Sequence, residues 1–186
     1  MEQSGAAERF EEFVRDYGER AFQFAYRLSG NVEEAKDLVQ EAYYRVLRSW
    51  DRYDASRSLD AWFFRILRNV FLDSRKRYER RHAVSLDRSP EGVSEDGATY
   101  GDLLAGDEEA VLDALERRES AGLVRETLDG LSHEHRAVLT LCDMEGLGYE
   151  EIARVLEVPV GTVRSRVSRA RRAFRRRMAG RIGARQ

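Results

Sequence analysis

The sequence predicts an all-α fold: two small helical bundles joined by a flexible acidic linker. Three observations carry this. Apolar residues recur every three or four positions over most of the chain, and no run alternates strictly enough for a strand. Between Ser85 and about Asp107 the pattern collapses into Pro90, glycines, serines and the acids Asp87, Glu91, Glu95, Asp96, Asp102 and Asp107. Near the end, Pro159 divides an apolar pattern into two short helices. The expected boundaries are a front domain over 1–84, a linker over 85–110 and a rear domain over 111–186.

The first helix is expected over 8–29, where Phe10, Phe13, Tyr17, Ala21, Phe24 and Leu28 share a side. Gly30 fits its end, and Asn31 fits the cap of a second helix, with Glu34 at the capping-box position. That helix buries Ala35, Leu38, Val39, Ala42 and Val46 and turns Asp37, Gln40, Glu41, Tyr44 and Arg48 the other way. Ser58 can cap a third helix running to about Arg80. Its apolar side is Leu59, Trp62, Phe63, Ile66, Leu67 and Val70. Arg65, Arg68, Arg75 and Lys76 lie opposite, flanked by Phe64, Phe71 and Asn69.

Helical character returns near Val111 and is interrupted at Gly130. Ser132 caps the next helix, which carries Ala137, Val138, Leu141 and Met144 to Gly146. In the last pair, Tyr149, Ile152, Ala153 and Leu156 form the stripe of the first helix. Val163, Val167, Ala170 and Phe174 form that of the second. Ser165, Ser168, Arg169 and Arg172 point away from the stripe, with Arg164 at their edge. Two short helices, a tight turn at Glu157–Pro159 and an arginine-rich outer side make a helix-turn-helix, whose second helix enters the DNA major groove. Hydroxyls and guanidinium groups can reach base edges and phosphates. A membrane-lying helix would show Trp, Phe and Leu where this narrow stripe has Val and Ala.

Charge is unevenly placed. The 186 residues carry a net charge of −2, yet every charged side chain past Val160 is an arginine. A basic tip on a nearly neutral chain implies weak DNA binding alone and help from a partner. Cys142 is the only cysteine, so no internal disulfide can form. No apolar run is long enough to cross a membrane and no signal peptide is seen, which predicts a soluble cytoplasmic protein.

Other constellations are weaker. On the third helix, aromatics beside a basic strip suit a single-stranded nucleic acid, since bases stack on rings while arginines hold phosphates. Trp62 and Phe63 read as core; for Phe64, Phe71 and Asn69, core and base-contacting roles both stay open. The polar side of the second helix reads as a solvated face or a docking surface. His133, His135 and Cys142 match no common zinc spacing and lack a fourth ligand, so no metal is assigned. No catalytic motif is present, and neither an enzymatic activity nor a cofactor is expected.

Two segments together resemble an extracytoplasmic-function (ECF, group IV) sigma factor, the promoter-recognition subunit of bacterial RNA polymerase. Ala35 to Arg77, containing DLVQE, resembles the family's region 2; Leu131 to Arg176 resembles region 4. The resemblance implies that Asp37, Gln40, Glu41, Tyr44 and Arg48 dock on the clamp helices of the polymerase β′ subunit. It implies that Phe64, Arg65, Arg68, Asn69, Phe71, Arg75 and Lys76 recognise and open the −10 element. Thr162, Arg164, Ser165, Ser168, Arg169, Arg171 and Arg172 are then expected to read the −35 element in duplex form, with Arg171, Arg172 and Arg175 suited to phosphates. Region 4 is expected to touch the β flap, and an anti-sigma protein is an expected partner. Gly148 stands where the family usually has a capping Ser or Thr, and Ser132 stands where it often has proline. The function implied is promoter-specific transcription initiation. The alternative is a stand-alone helix-turn-helix regulator, which would bind duplex DNA tightly without polymerase.

Overall fold

In the computed structural model, residues 2–83 and 121–183 are described, and among them there is helix and no strand. The linker expected over 85–110 and the start of the rear domain lie outside them. The front part comprises α1 (Glu2–Ser29), α2 (Val32–Ser49), a short 3-10 turn at Trp50–Arg52 and α3 (Leu59–Ala83). The rear part comprises α4 over 121–129, α5 (His133–Leu139) continued by a π-type turn at Thr140–Met144, α6 (Tyr149–Leu156) and α7 (Val160–Gly183).

The predicted caps form. Gly30 closes α1 with φ +75°, a left-handed conformation open to glycine at no steric cost. The Asn31 side chain accepts from the Glu34 N–H at 3.0 Å, and the Asn31 N–H donates to Ser29 Oγ. Ser58 Oγ accepts from the Ala61 N–H, and Ser132 Oγ from the His135 N–H. Such caps each contribute about 1 kcal/mol. Gly148 has no side chain to cap α6; Glu151 reaches back instead and accepts its N–H at 2.9 Å.

An aromatic cluster holds the front bundle. Phe13 stacks on Tyr17 at 4.5 Å and meets Phe63 edge-on at 5.0 Å, while Tyr43 stacks on Phe63 and Trp50 meets Trp62. Phe24, Phe63 and Phe64 are fully buried, each worth about 1.5–3 kcal/mol of transfer from water. The stripe of α2 is confirmed at Ala35, Leu38, Ala42 and Val46, with Val39 half-buried. In the rear bundle Val163, Val167 and Ala170 are buried as expected, and Phe174 is half-buried. Met144 departs from expectation. The π-type turn adds a residue to the helical repeat, which rotates Met144 out of the apolar stripe to 43% exposure.

The two bundles do not stand apart. α6 packs on α3 and α5 packs on α1, and the buried apolar residues of both halves form one cluster. Val155, outside the stripe expected for α6, is fully buried and gives that helix a second apolar margin. Polar groups cross the same seam. Arg20 on α1 donates to Asp60 on α3 (2.7 Å) and to Glu145 after α5 (2.9 Å). Arg125 on α4 donates to the Tyr26 hydroxyl on α1.

Candidate nucleic-acid interface

The turn between α6 and α7 sets the recognition helix. Glu157 adopts a left-handed conformation (φ 54°, ψ 46°), and Val158 N–H closes the turn on the Ala153 carbonyl. Pro159 then starts α7: its carbonyl accepts the Thr162 and Val163 N–H groups, and its own missing N–H costs nothing at a helix start. Because Val163, Val167 and Ala170 face inward, the opposite side is presented to solvent. Arg164, Ser165, Ser168, Arg169 and Arg172 are all exposed, with Thr162 half-buried near the helix start.

Among the described residues, nothing outside α7 binds the centre of this face. Ser165 Oγ donates to the Thr162 carbonyl at 3.0 Å, and Arg169 folds back one turn to donate to Ser165 Oγ and O at 3.2 Å. These are exposed, local bonds, and water or a base edge can replace them at little cost. Arg171 differs. Its guanidinium is ion-paired with Asp143 on the π-type turn, with the Cys142 thiol 3.7 Å away. That hydrogen-bonded pairing holds the Asp143 carboxyl below its ordinary value. Arg166, on the inner flank, reaches Glu134.

The face of α3 is arranged otherwise. Arg65 donates from Nε (3.1 Å) and Nη2 (2.6 Å) to Glu157 Oε1. Arg68 lies 3.5 Å from Glu157 Oε2, donates to the Val155 carbonyl and reaches Asn69 Oδ1 at 3.2 Å. Hydrogen bonds from Arg65, with the charge of both arginines, hold the Glu157 carboxyl below its ordinary value. Burial pulls the Arg68 guanidinium down, against the opposing effect of Glu157. Arg75 and Lys76 are exposed.

Phe64 and Phe71 require correction. Phe64 is fully buried, edge-on to Phe24 at 5.1 Å and beneath the Arg20 guanidinium, so it is a core residue and not a platform for bases. Phe71 is 3% exposed because the His133 ring from the rear bundle covers it at 5.4 Å. A helical wheel places both on a margin; α1 covers Phe64 through Phe24 and Arg20, and His133 of the rear bundle covers Phe71. His133 Nδ1 lies 3.0 Å from the Leu28 carbonyl and 2.8 Å from Arg136 Nη2, and serves one or the other according to tautomer. Burial, then the nearby Arg136 and Arg75 charges, lower its pKa.

On α2, Asp37, Gln40, Glu41 and Tyr44 line a shallow concavity. Tyr44 is 54% exposed and carries Arg48 over its ring. Glu41 is bound by Arg45, which also donates to Asp73 on α3, so the concavity is braced from behind. Leu47, 55% exposed on the same helix, was not singled out by sequence, since an isolated surface leucine carries no signal.

Arg20 and Glu157 are among the interacting residues that the sequence does not reveal. Burial pushes Asp60 up, but hydrogen bonds from Arg20 and Tyr17 outweigh it and leave its carboxyl below the ordinary value. The partners of Arg20 are 40 and 125 residues away along the chain, so no local pattern signals them.

Comparison with known proteins agrees with this geometry. The Sigma-70 region 2 family model matches residues 13–81, and the Sigma-70 region 4 model matches 121–174. The chain is 38% identical over 176 residues to the ECF RNA polymerase sigma factor SigE of Mycolicibacterium smegmatis, covering 89% of this chain and 60% of that protein. It is 30% identical to the ECF sigma factor SigW of Bacillus subtilis, covering 94% and 91%. Among solved structures it resembles the sigma factor RpoE of Bartonella quintana, crystallised with the anti-sigma factor NepR. The TM-score is 0.73 at 27% identity, covering 92% of this chain and 97% of that one. Sharing both regions in this order, and nearly its whole length with SigW, the chain belongs to the ECF family of RNA polymerase sigma factors.

Proposed function

We propose that this sigma factor works as two DNA readers held on one polymerase. Core RNA polymerase binds the chain, and the complex starts transcription at specific promoters. The concavity of Asp37, Gln40, Glu41, Tyr44 and Arg48 on α2 takes the β′ clamp helices. Arg65, Arg68, Asn69, Arg75 and Lys76 on α3 handle the −10 strand as it opens. The outward side of α7, from Thr162 through Arg172, reads the −35 duplex, and the rear bundle meets the β flap. We take 1–84 and 111–186 as the two functional units and 85–110 as the segment joining them, and place the protein in group IV.

The observation that carries this reading is the open side of α7. Arg164, Ser165, Ser168 and Arg169 are exposed together on the second helix of a helix-turn-helix, in a chain that also carries sigma region 2. Mechanism follows from tethering. Each reader alone binds weakly, and the polymerase raises the local concentration of one at its element once the other is bound. Strand opening needs no catalytic group. Unstacking a base costs a few kcal/mol and is offset by stacking and phosphate contacts.

The likeness to a sigma factor crystallised with an anti-sigma factor supports an inhibitory protein partner for this chain. No helix among the described residues is long and apolar enough to cross a membrane, which fits action beside the nucleoid in the cytoplasm. Run-off transcription with core polymerase tests the function. Adding the purified chain should produce discrete transcripts from a subset of genomic templates. Transcripts no different from those of core alone would refute it.

A further inference from the structure

Toward its C-terminal end α3 loses its buried side. Over 75–81 (RKRYERR) every residue is exposed, and five of the seven are cationic against one acid. At 100° per residue, Lys76 and Arg80 continue the strand-handling side of Arg65 and Asn69. Arg77 and Arg81 fall on the other side, seven and eleven residues after the buried Val70. Tyr78 stands seven residues after the buried Phe71, yet is itself 57% exposed. A second basic side therefore begins where the core stops, turned away from the first. The stretch does not favour a helix by itself. Lys76 and Arg80, and Arg77 and Arg81, set like charges four residues apart, which weakens a helix in water. Arg80 turns back on the Lys76 carbonyl at 3.2 Å. A helix of one sign on opposite sides is suited to a polyanion that neutralises it.

We propose that 75–81 is a phosphate-binding arm, whose rear side, Arg77 and Arg81, grips the backbone of duplex DNA between the −35 and −10 elements. The proposal deepens the reading of α3 given above and rests on it. Length and charge select the ligand. Seven helical residues extend about 10 Å. Over that length a duplex carries about six phosphates and a single strand about three. Five cations distributed around the helix match the duplex. A protein partner would need an apolar centre to its interface, and only the Tyr78 ring offers apolar area of any size here. The front side of α3 is assigned to the opening strand, and the rear side cannot reach the same strand. Double helix persists next to it, because α7 reads one element as duplex and only the other opens. Phosphate contacts there set register and carry no sequence preference.

The test uses the full-length chain with core polymerase, on a promoter found by run-off transcription. The variant is Arg77→Gln with Arg81→Gln, which removes charge and keeps good helix formers. Arg9→Gln with Arg15→Gln makes the same charge change at exposed positions of α1 and serves as control. Affinity is measured across a salt range, on the ordinary duplex and on one with neutral methylphosphonate linkages between the two elements. Losing two phosphate contacts should flatten the salt slope by about 1.8, so that the wild type loses about 12-fold more affinity than the variant between about 50 and 200 mM salt. Methylphosphonates should weaken the wild type and the control and leave the variant unchanged. At saturating concentration the variant should still open the −10 region to permanganate. A variant with the control's salt slope, or one that methylphosphonates weaken as much as the wild type, overturns the proposal. Weaker binding to core polymerase alone would assign the arm to a protein and overturn it too, as would loss of opening at saturation, which would place Arg77 and Arg81 on the strand. Should the chain direct no discrete transcript, the function proposed above fails, and the free chain on a random-sequence duplex tests the arm by itself. The same difference in slope then supports it, and equal slopes overturn it.

Discussion

Two helices of this protein carry arginines in the pattern of a DNA-binding surface, and they are presented in opposite ways. On α7, Arg164, Ser165, Ser168 and Arg169 face solvent, with only intrahelical bonds to break. On α3, Arg65 and Arg68 are already bound to Glu157, and the neighbouring aromatics are covered. On the function proposed above, the difference lies in the partner each awaits. A duplex exists before the protein arrives and can be met by an open surface. An opened strand exists only within the initiating complex, so a face that handles it gains nothing by being open earlier. Composition does not distinguish the helices; what packs on each one does.

The largest expected effect separates core from surface on α3. Phe64→Ala should lower unfolding stability by about 3–5 kcal/mol, measured by denaturant titration, because a fully buried aromatic is lost. If Phe64 were instead a platform for bases, stability would hold and strand opening alone would fail.

Next is the fastening of the covered side. Arg20→Met leaves Asp60 and the nearly buried Glu145 without their shared donor. A loss of about 1–3 kcal/mol is expected in the same titration. An unchanged stability would mean that the Arg20 contacts contribute nothing to the seam.

On the open side, Arg169→Ala should cost about 1–3 kcal/mol of discrimination at the −35 element, read as the affinity difference between matched and substituted duplexes in the holoenzyme. An equal loss on all duplexes would assign Arg169 to phosphate. The smallest effect is that of Arg171, whose pair with Asp143 is half-exposed. Arg171→Ala should change stability by about 0.2–1 kcal/mol. It should also leave sequence preference intact while flattening the salt dependence of binding.

Much of this architecture was legible in the residues. The stripe Val163, Val167, Ala170 follows from helical spacing, and its opposite side is exposed as expected because none of the described residues packs there. Asn31, Ser58 and Ser132 announced helix starts, since caps are local chemistry. The failures share one cause. Phe64 and Phe71 sit on a helix margin, and whether a margin is buried depends on what else packs against it. Glu157 looked like a turn residue and proved to be a partner for Arg65, 92 positions away. The π-type turn that turns Met144 outward leaves no trace in spacing.

Permanganate footprinting at a promoter defined by run-off transcription tests most directly the claim that one face is open and the other shut. It marks thymines only where strands have parted. Core polymerase with the chain should give reactive thymines in the −10 region, while the chain alone, even at saturating concentration on the same duplex, should give protection over the −35 region and no reactivity. Reactive thymines produced by the chain alone would contradict the account, as would holoenzyme that protects the −35 region and never opens the −10.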